Sequence, residues 1–416
     1  MALYDAIIIG GGPAGAMCGA LLAQHGRKVA ILEKESFPRY IVGESMLPYC
    51  YFPLDRIGMI EKLKETNFPK KHSVQFVGRS GRVSQPFYFF KHFKHEASQT
   101  WQVLRSEFDE MMLNNAREKG AHVEENTAAT SFIIDKDDAV KGVIDQHGKK
   151  WQTKIVIDAS GRQGFSSSRL GWRVRDEYLK KMAIWQYYKG AKRDEGIDEG
   201  ATTIAYLPQN GWFWYIPLPN DMVSVGIVAD REYLYQNGKD PKEIFTREIK
   251  NNLWIEDHLA AATSTGEIRV TGDYSYRSKH CAKEGLILIG DAFTFLDPVF
   301  SSGLFFALKG GELVADIIHE GLDREDLSPD SFNEYATKLC QGIEDMRKLV
   351  YAFYDDKFSF ASVLKKYPEF NGDITDCLIG NLFKDFDPLF KAVAEFASLP
   401  APLKHGSPLC QNRNEG

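Results

Sequence analysis

An α/β fold with two interleaved domains follows from three features of the sequence. Residues 6–9 form an all-apolar run that ends at Gly10-Gly11-Gly12-Pro13-Ala14-Gly15, and residues 16–25 then read as a helix of small and apolar residues. Residues 180–275 alternate aromatic and polar positions in the manner of strands and carry few helical signals. Beyond residue 320 the apolar spacing becomes helical. The expected architecture is a Rossmann-like dinucleotide-binding domain, an antiparallel-sheet domain interleaved with it on the substrate side, and a C-terminal helical region.

Size and charge narrow the function. By length, 416 residues correspond to about three domains and can bury a large core. Lys plus Arg number 51 against 57 Asp plus Glu, and a net charge of -6 favours neither nucleic acid nor an anionic membrane surface, leaving a small molecule as the expected partner. The cysteines Cys18, Cys50, Cys281, Cys340, Cys377 and Cys410 show neither metal-type nor CxxC spacing, so free thiols in a reducing compartment and no metal site are expected. No apolar stretch approaches the roughly 20 residues of a membrane span, and the start MALYDAIIIGGG lacks a basic n-region and a cleavage signal, so the expected location is cytoplasmic.

In the first element, Gly10 allows a tight turn, Gly12 lets the backbone approach a pyrophosphate, and Gly15 with Gly19 lets the helix lie close to its strand. A second strand over residues 28–32 ends at Glu33, about twenty residues on, where a carboxylate can bind ribose hydroxyls. That context turns a weak glycine motif into a dinucleotide site. Phe37-Pro38-Arg39 and residues 42–48 follow as a polar turn in which Glu44 and Ser45, read alone, are surface residues. Residues 54–66 are amphipathic, the adjacent Lys70 and Lys71 read alone as a solvated surface pair, and residues 87–95 as a half-buried strand with an exposed basic face.

Arg105 opens a helix whose apolar face is Phe108, Met112 and Ala116 and which Gly120 closes; a cation at a helix start calls for a negative partner such as a phosphate. Residues 121–157 read as a strand meander with turns at 135–138 and 147–148, ending at Asp158-Ala159-Ser160-Gly161-Arg162. Trp212, Trp214 and Ile216 would share one face of a strand and Phe213 and Tyr215 the other, so both faces are covered. No second GxGxxG occurs, so neither a second nucleotide domain nor a tightly held nicotinamide is expected. Residues 286–289 form a buried strand broken by Gly290-Asp291, and the loop Asp297-Pro298-Val299-Phe300-Ser301-Ser302-Gly303 leads into a helix from Leu304. Backbone N–H groups at that helix start can hold an anion; equally, Ser301 or Ser302 can simply cap it. Residues 329–354 are amphipathic, shorter helical segments span 358–397, and the tail from residue 399 is expected to be disordered.

Together these motifs resemble the flavin-dependent halogenases, specifically the branch acting on phenols, pyrroles and carrier-bound substrates, within the glutathione-reductase class of FAD monooxygenases. The likeness spans residues 5 to about 312 and rests most specifically on Trp212-x-Trp214-x-Ile216-Pro217 and on residues 297–303. It implies FAD on Gly10, Gly12, Pro13, Ala14, Gly15, Glu33, Lys34, Arg39, Ser45, Arg105, Asp291, Pro298 and Gly303, with chloride or bromide on the backbone of Ser302 and Gly303. It further implies that Trp212 and Trp214 shield the flavin, that a separate flavin reductase supplies reduced FAD, and that FAD, oxygen and halide yield hypohalous acid. Lys71, in a Phe68-x-x-Lys71 pattern closed by Phe76, would direct that acid to an aromatic substrate, free or tethered to a carrier protein; Lys70 is the competing assignment.

Two positions depart from the family. His72-Ser73-Val74 replaces small residues after the lysine, and Phe300 stands where tryptophan halogenases carry a glutamate. The implied domains are an FAD-binding part (1–70, 98–178 and 276–330), a substrate-side sheet (71–97 and 179–275), a helical region (331–400) and a tail (401–416). Alternatives are a reductase like the geranylgeranyl reductases, an FAD-dependent aromatic hydroxylase, and an FAD-binding protein without halogenation. The reductases carry a similar aromatic-x-Trp-x-Phe-Pro stretch, but Trp212 and Ile216 in place of Tyr and Phe favour the halogenases.

Overall fold

Five parallel strands of apolar residues form the centre of the first sheet. Tyr4–Ile9 lies between Lys150–Asp158 and Val29–Leu32, with Leu286–Leu288 and His122–Glu124 outside them. Such strands need cover on both faces; the helices Pro13–Gln24, Arg105–Glu118 and Gly303–Arg324 supply much of it. The close fit depends on glycine. A Cβ on Gly15 would lie 2.0 Å from the Gly10 carbonyl oxygen, and one on Gly10 2.4 Å from that of Ala159. Val140–Asp145, Ala129–Ile134 and, beside Leu286–Leu288, Ala282–Lys283 extend the sheet as antiparallel strands, giving eight strands among the described residues. The computed structural model describes residues 3–272 and 275–410.

The second sheet has the order Thr263–Gly272, Lys181–Lys189, Met222–Asp230, Trp212–Leu218, Thr202–Tyr206, Ser73–Val77 and Phe87–Tyr88. All its pairs are antiparallel except Thr202–Tyr206 beside Ser73–Val77. Period-two alternation divides the Trp212–Leu218 strand between two cores. Trp212, Trp214 and Ile216 join the core shared with the first sheet, whereas Phe213 and Tyr215 join a second core on the opposite face.

That second core is closed by three helices in a region expected to consist of strands with few helical signals: Arg231–Tyr235, Pro241–Ile249 and Leu253–Leu259. Their cause is local. The Asp240 carboxylate accepts from the N–H groups of Lys242 and Glu243, and the Asn252 carbonyl from those of Trp254 and Ile255, so two of the helices carry side-chain caps. Phe245 then packs edge-on to Phe213 and Trp254 to Tyr215. Helices of five to nine residues are too short for a periodicity window of 11–18.

Three other expectations change. The amphipathic stretch 54–66 is two helices, Tyr51–Arg56 and Met59–Lys64, split at Gly58 with φ +73°. The stretch 87–95 is a two-residue strand followed by one helical turn, Phe89–His92, because Phe89 buries its ring and donates its N–H to the His72 carbonyl at 3.0 Å. Residues 399–410 are ordered along a strand edge that would otherwise be unpaired: Gly406 N–H bonds the Lys279 carbonyl and Leu409 N–H that of Ala282, both at 2.8 Å. Residues 411–416 of the tail lie outside the described residues. None of the six cysteines is in a disulfide, and among the described residues no helix is long and apolar enough to cross a membrane.

Candidate active site

A cavity of about 860 Å3 runs between the two sheets. Gly10, Gly12, Pro13, Ala14, Glu33 and Lys34 line it, together with Arg39, Arg105 and Asp291 and with Pro298, Gly303, Trp212, Trp214 and Ser45. The sequence-derived cofactor residues are thus brought together, apart from Gly15, which lies beneath the glycine turn rather than on the wall. Glu33 sits where its strand ends; its Oε2 accepts from Gly11 N–H at 2.7 Å and its Oε1 from Glu35 N–H at 2.9 Å. Each oxygen keeps acceptor capacity for a ribose hydroxyl.

Gly12 leaves its approach to the cavity open, the position of a missing Cβ lying 3.3 Å from Arg39 Nη2. Arg39 and Arg105 share one buried carboxylate. Asp109 accepts from Arg39 Nη1 at 3.1 Å and from Arg105 Nε and Nη2 at 2.7 and 3.0 Å. The negative partner expected for Arg105 is therefore supplied first by a side chain one turn along its own helix, and the Gly43 carbonyl accepts from its Nη1 at 3.1 Å. The shared carboxylate fixes two guanidinium groups on the cavity wall, a pair suited to an anionic diphosphate. Burial pushes the Asp291 carboxyl up to about 6, against the pull of Arg162 and Arg105.

Also on the cavity wall, the 3-10 turn Pro298–Phe300 is capped by Asp297, and Ser301 adopts a left-handed conformation with φ +56°. The helix Gly303–Arg324 then starts without a side-chain cap, so the simple capping role for Ser301 or Ser302 is not what the structure has. A Cβ on Gly303 would meet nothing within 4 Å, and Gly303 lines the cavity, so the helix begins at the cavity wall, where its first N–H groups lack intrahelical partners. The Ser302 side chain is buried behind this wall. A dinucleotide carrying a flavin fits this combination of a ribose-binding carboxylate, paired arginines and an open helix start.

Lys71 and Glu44 are placed differently from their reading as isolated residues. Lys70 is exposed, but Lys71 is only 2% exposed, so the two lysines are not a solvated pair. Lys71 Nζ donates to Ser45 Oγ at 2.9 Å and to the Met46 carbonyl at 3.2 Å, with the Phe89 ring 5.5 Å away. Burial brings its pKa down to about 7. Lys71 does not line the cavity; Ser45 does, and stands between. Glu44 is buried too, accepting from Tyr187 Oη at 2.7 Å, and burial raises its pKa. Trp212 and Trp214 form the aromatic wall, their indole N–H groups donating to Tyr354 Oη at 2.8 Å and Ser224 Oγ at 3.0 Å. Phe300 packs between Phe353 and Phe360. Thr202, Tyr187 and Tyr354 escaped sequence reasoning, because each sits in an unremarkable apolar stretch and acquires its role only from the partner the fold brings to it.

Known proteins agree with this geometry. The family model described as tryptophan halogenase matches residues 5–103 and 78–359. The 1H-pyrrole-2-carbonyl-(peptidyl-carrier protein) chlorinase of Pseudomonas fluorescens is 29% identical over 97% of this chain and 96% of that one. The corresponding brominase of Pseudoalteromonas luteoviolacea is 34% identical over 78% of this chain and 79% of that one. Among solved structures, the flavin-dependent brominase Bmp2 superposes with a TM-score of 0.86 at 29% identity, covering 95% of this chain and 97% of its own. Family match, relatives and fold agree with the cavity: the chain belongs to the flavin-dependent halogenases, FAD-dependent oxidoreductases that use a halide.

Proposed function

We propose that this protein halogenates an electron-rich ring of phenol or pyrrole type with chloride or bromide, and that Lys71 delivers the halogen. The observation that carries the reading is a buried lysine one hydroxyl away from the flavin cavity, with two hydrogen-bond acceptors and, among the described residues, no carboxylate partner. At a pKa of about 7 a large share of Lys71 is neutral amine at physiological pH, the form that can capture an electrophilic halogen. Lys70, being exposed, lacks that environment.

Bound and reduced, FAD supplies the reducing equivalents that let oxygen convert halide to hypohalous acid. The chain's residues bind and orient around that chemistry. Glu33 holds the ribose, the Arg39 and Arg105 guanidinium groups the diphosphate and ribityl region, and the backbone of Ser302 and Gly303 the halide. Trp212 and Trp214 separate the flavin from the substrate side and keep water out. Residues 1–70, 98–178 and 276–330 form the FAD-binding part, with 71–97 and 179–275 on the substrate side.

The relatives' substrate, a pyrrole-2-carbonyl group on a peptidyl carrier protein, is the first to test. A separate flavin reductase completes the system, which operates in the cytoplasm. The protein is incubated with FAD, a flavin reductase, oxygen, chloride or bromide, and phenols, pyrroles and carrier-tethered pyrrole, and products are read by their halogen isotope pattern. Halogenation lost in Lys71→Ala with FAD absorbance retained is the expected result. Undiminished halogenation in that variant would refute the assignment of Lys71, and halide-independent hydroxylation or alkene reduction by the wild type would refute the activity.

A further inference from the structure

Lys71 must gain and lose a proton to alternate between ammonium and amine, yet it is sealed from solvent. Two oxygen atoms accept its hydrogen bonds. The Met46 carbonyl can accept but cannot pass a proton on, and the Cys50 thiol nearby is held protonated, burial pushing its pKa up to about 12. Only Ser45 Oγ continues toward the cavity.

Ser45 Oγ lies 2.7 Å from Thr202 Oγ1, and both residues line the cavity. Gln102, completely buried, fixes the second hydroxyl: its Nε2 donates to Thr202 Oγ1 at 2.8 Å and to the Gly200 carbonyl at 2.9 Å, which uses both of its amide hydrogens. The donor order along this chain depends on Lys71. When Lys71 is an ammonium, Ser45 accepts from it and donates to Thr202, whose acceptor capacity is then filled and whose own hydrogen points to the cavity. When Lys71 is an amine, the order can reverse, Thr202 donating to Ser45 and Ser45 to the amine lone pair, so that Thr202 presents a lone pair instead. The charge state of a sealed lysine is thus displayed on the cavity wall.

Resting on the halogenase reading above, we propose that Ser45 and Thr202 form a two-hydroxyl relay through which Lys71 exchanges its proton with the flavin cavity. In the deprotonating direction, an Nζ–H bond breaks as a Ser45 O–H bond forms, the former Ser45 hydrogen passes to Thr202, and the former Thr202 hydrogen leaves to a basic oxygen in the cavity. Water or hypohalite is that base, becoming hydronium or hypohalous acid; no electrons change hands. Ser45, which the family likeness groups with the cofactor residues, becomes the link to Lys71, and Thr202 becomes a positioning residue for the reaction.

Thr202→Val removes the hydroxyl at nearly constant volume, and Thr202→Ser restores it. In the activity assay, Thr202→Val is expected to keep FAD and to form hypohalous acid, trapped by a soluble β-diketone, at the wild-type rate, while ring halogenation falls at least about tenfold. Thr202→Ser should recover ring halogenation. Equal ratios of ring to trap product in wild type and Thr202→Val would overturn the relay, as would parallel loss of both products, which marks a purely structural tie.

A second measurement needs no turnover. In protein carrying 15N-lysine at pH 6, the Lys71 ammonium hydrogens are expected to exchange with water at least about tenfold more slowly in Thr202→Val than in wild type or Thr202→Ser. Equal exchange rates would overturn the relay even if the ring substrates are never halogenated. Exchange slowed in Thr202→Val, beside a wild type that makes no halogenated product, would instead sink the halogenase reading and leave the relay standing.

Discussion

Lys71→Met keeps the length and apolar stem of the side chain and deletes its amine. The folded protein holds the ammonium with difficulty, burial lowering the Lys71 pKa from 10.5 to about 7. Between those values the unfolded chain binds more protons than the folded one, so the stability associated with Lys71 is present at high pH and is lost as pH falls through about 7. The gap amounts to about 5 kcal/mol, offset by the bonds to Ser45 and Met46, each contributing about 1 kcal/mol. Lys71→Met should therefore be more stable than wild type by roughly 2–3 kcal/mol at pH 7. Urea unfolding of both proteins measures this as a midpoint shift at unchanged m. At pH 9 the advantage should shrink by about 2 kcal/mol, because the folded lysine is by then neutral while the unfolded one still carries its proton, so each pH unit toward 10.5 lowers the cost of burying the amine by about 1.4 kcal/mol. A variant less stable than wild type at pH 7, or an advantage that does not change with pH, would refute the claim that Lys71 is buried at an energetic cost. The same variant should bind FAD and halogenate nothing.

Gly303→Ala adds a methyl group that meets no protein atom within 4 Å and should leave stability unchanged or slightly raised, alanine being the better helix residue. Its methyl group would stand over the N–H groups assigned to the halide, so halide titration should show an apparent KM raised about tenfold, or ~1.4 kcal/mol, with FAD retained. Tyr354→Phe removes the hydroxyl that donates to Asp297 Oδ2 at 2.9 Å and accepts from the Trp212 indole at 2.8 Å, leaving two buried polar groups unpaired at a cost of about 1–3 kcal/mol. Burial has pushed the Asp297 pKa up to about 6, so the stability associated with its protonated form is lost as pH rises through that value. Loss of the Tyr354 donor raises the pKa further, and the deficit of the variant, read from urea midpoints, should be larger at pH 8 than at pH 5.

The nucleotide half of this fold was legible because its signals are local. An apolar strand, three spaced glycines and a carboxylate at the next strand end lie within the first 33 residues, and the loop from Asp297 to Gly303 is equally compact. Burial of isolated polar residues was not. Lys71 is sealed by pairing of Lys70–Lys71 with Thr100–Trp101 and by Phe89, and its relay partner Thr202 comes from a strand far along the chain. Glu44 is buried by Tyr187 from the second sheet. No window of sequence contains both members of such a pair, so two adjacent lysines reveal nothing of which one turns inward. The helices over residues 231–259 failed for a different reason, their lengths being too short to set up a periodicity.

The two tryptophans of the cavity wall look equivalent in sequence, and the structure holds them by unrelated means. Trp214 lies across from Gly226, and a Cβ there would come within 2.1 Å of its ring. The glycine opens a slot in the neighbouring strand for the indole, and Ser224 two residues earlier accepts its N–H. Both the slot and the hydrogen bond that hold Trp214 thus come from its own sheet. Trp212 is anchored by Tyr354, which immediately follows the helix Asn333–Phe353, and Tyr354 is itself bonded to the carboxylate that caps the turn before Ser301. One chain of hydrogen bonds thus joins the aromatic wall, the C-terminal helical region and the loop leading to the open helix start at Gly303. A shift of the C-terminal helix would act on Trp212 and that loop together while leaving Trp214 in its slot, which gives the C-terminal region a direct mechanical hold on one half of the wall and none on the other.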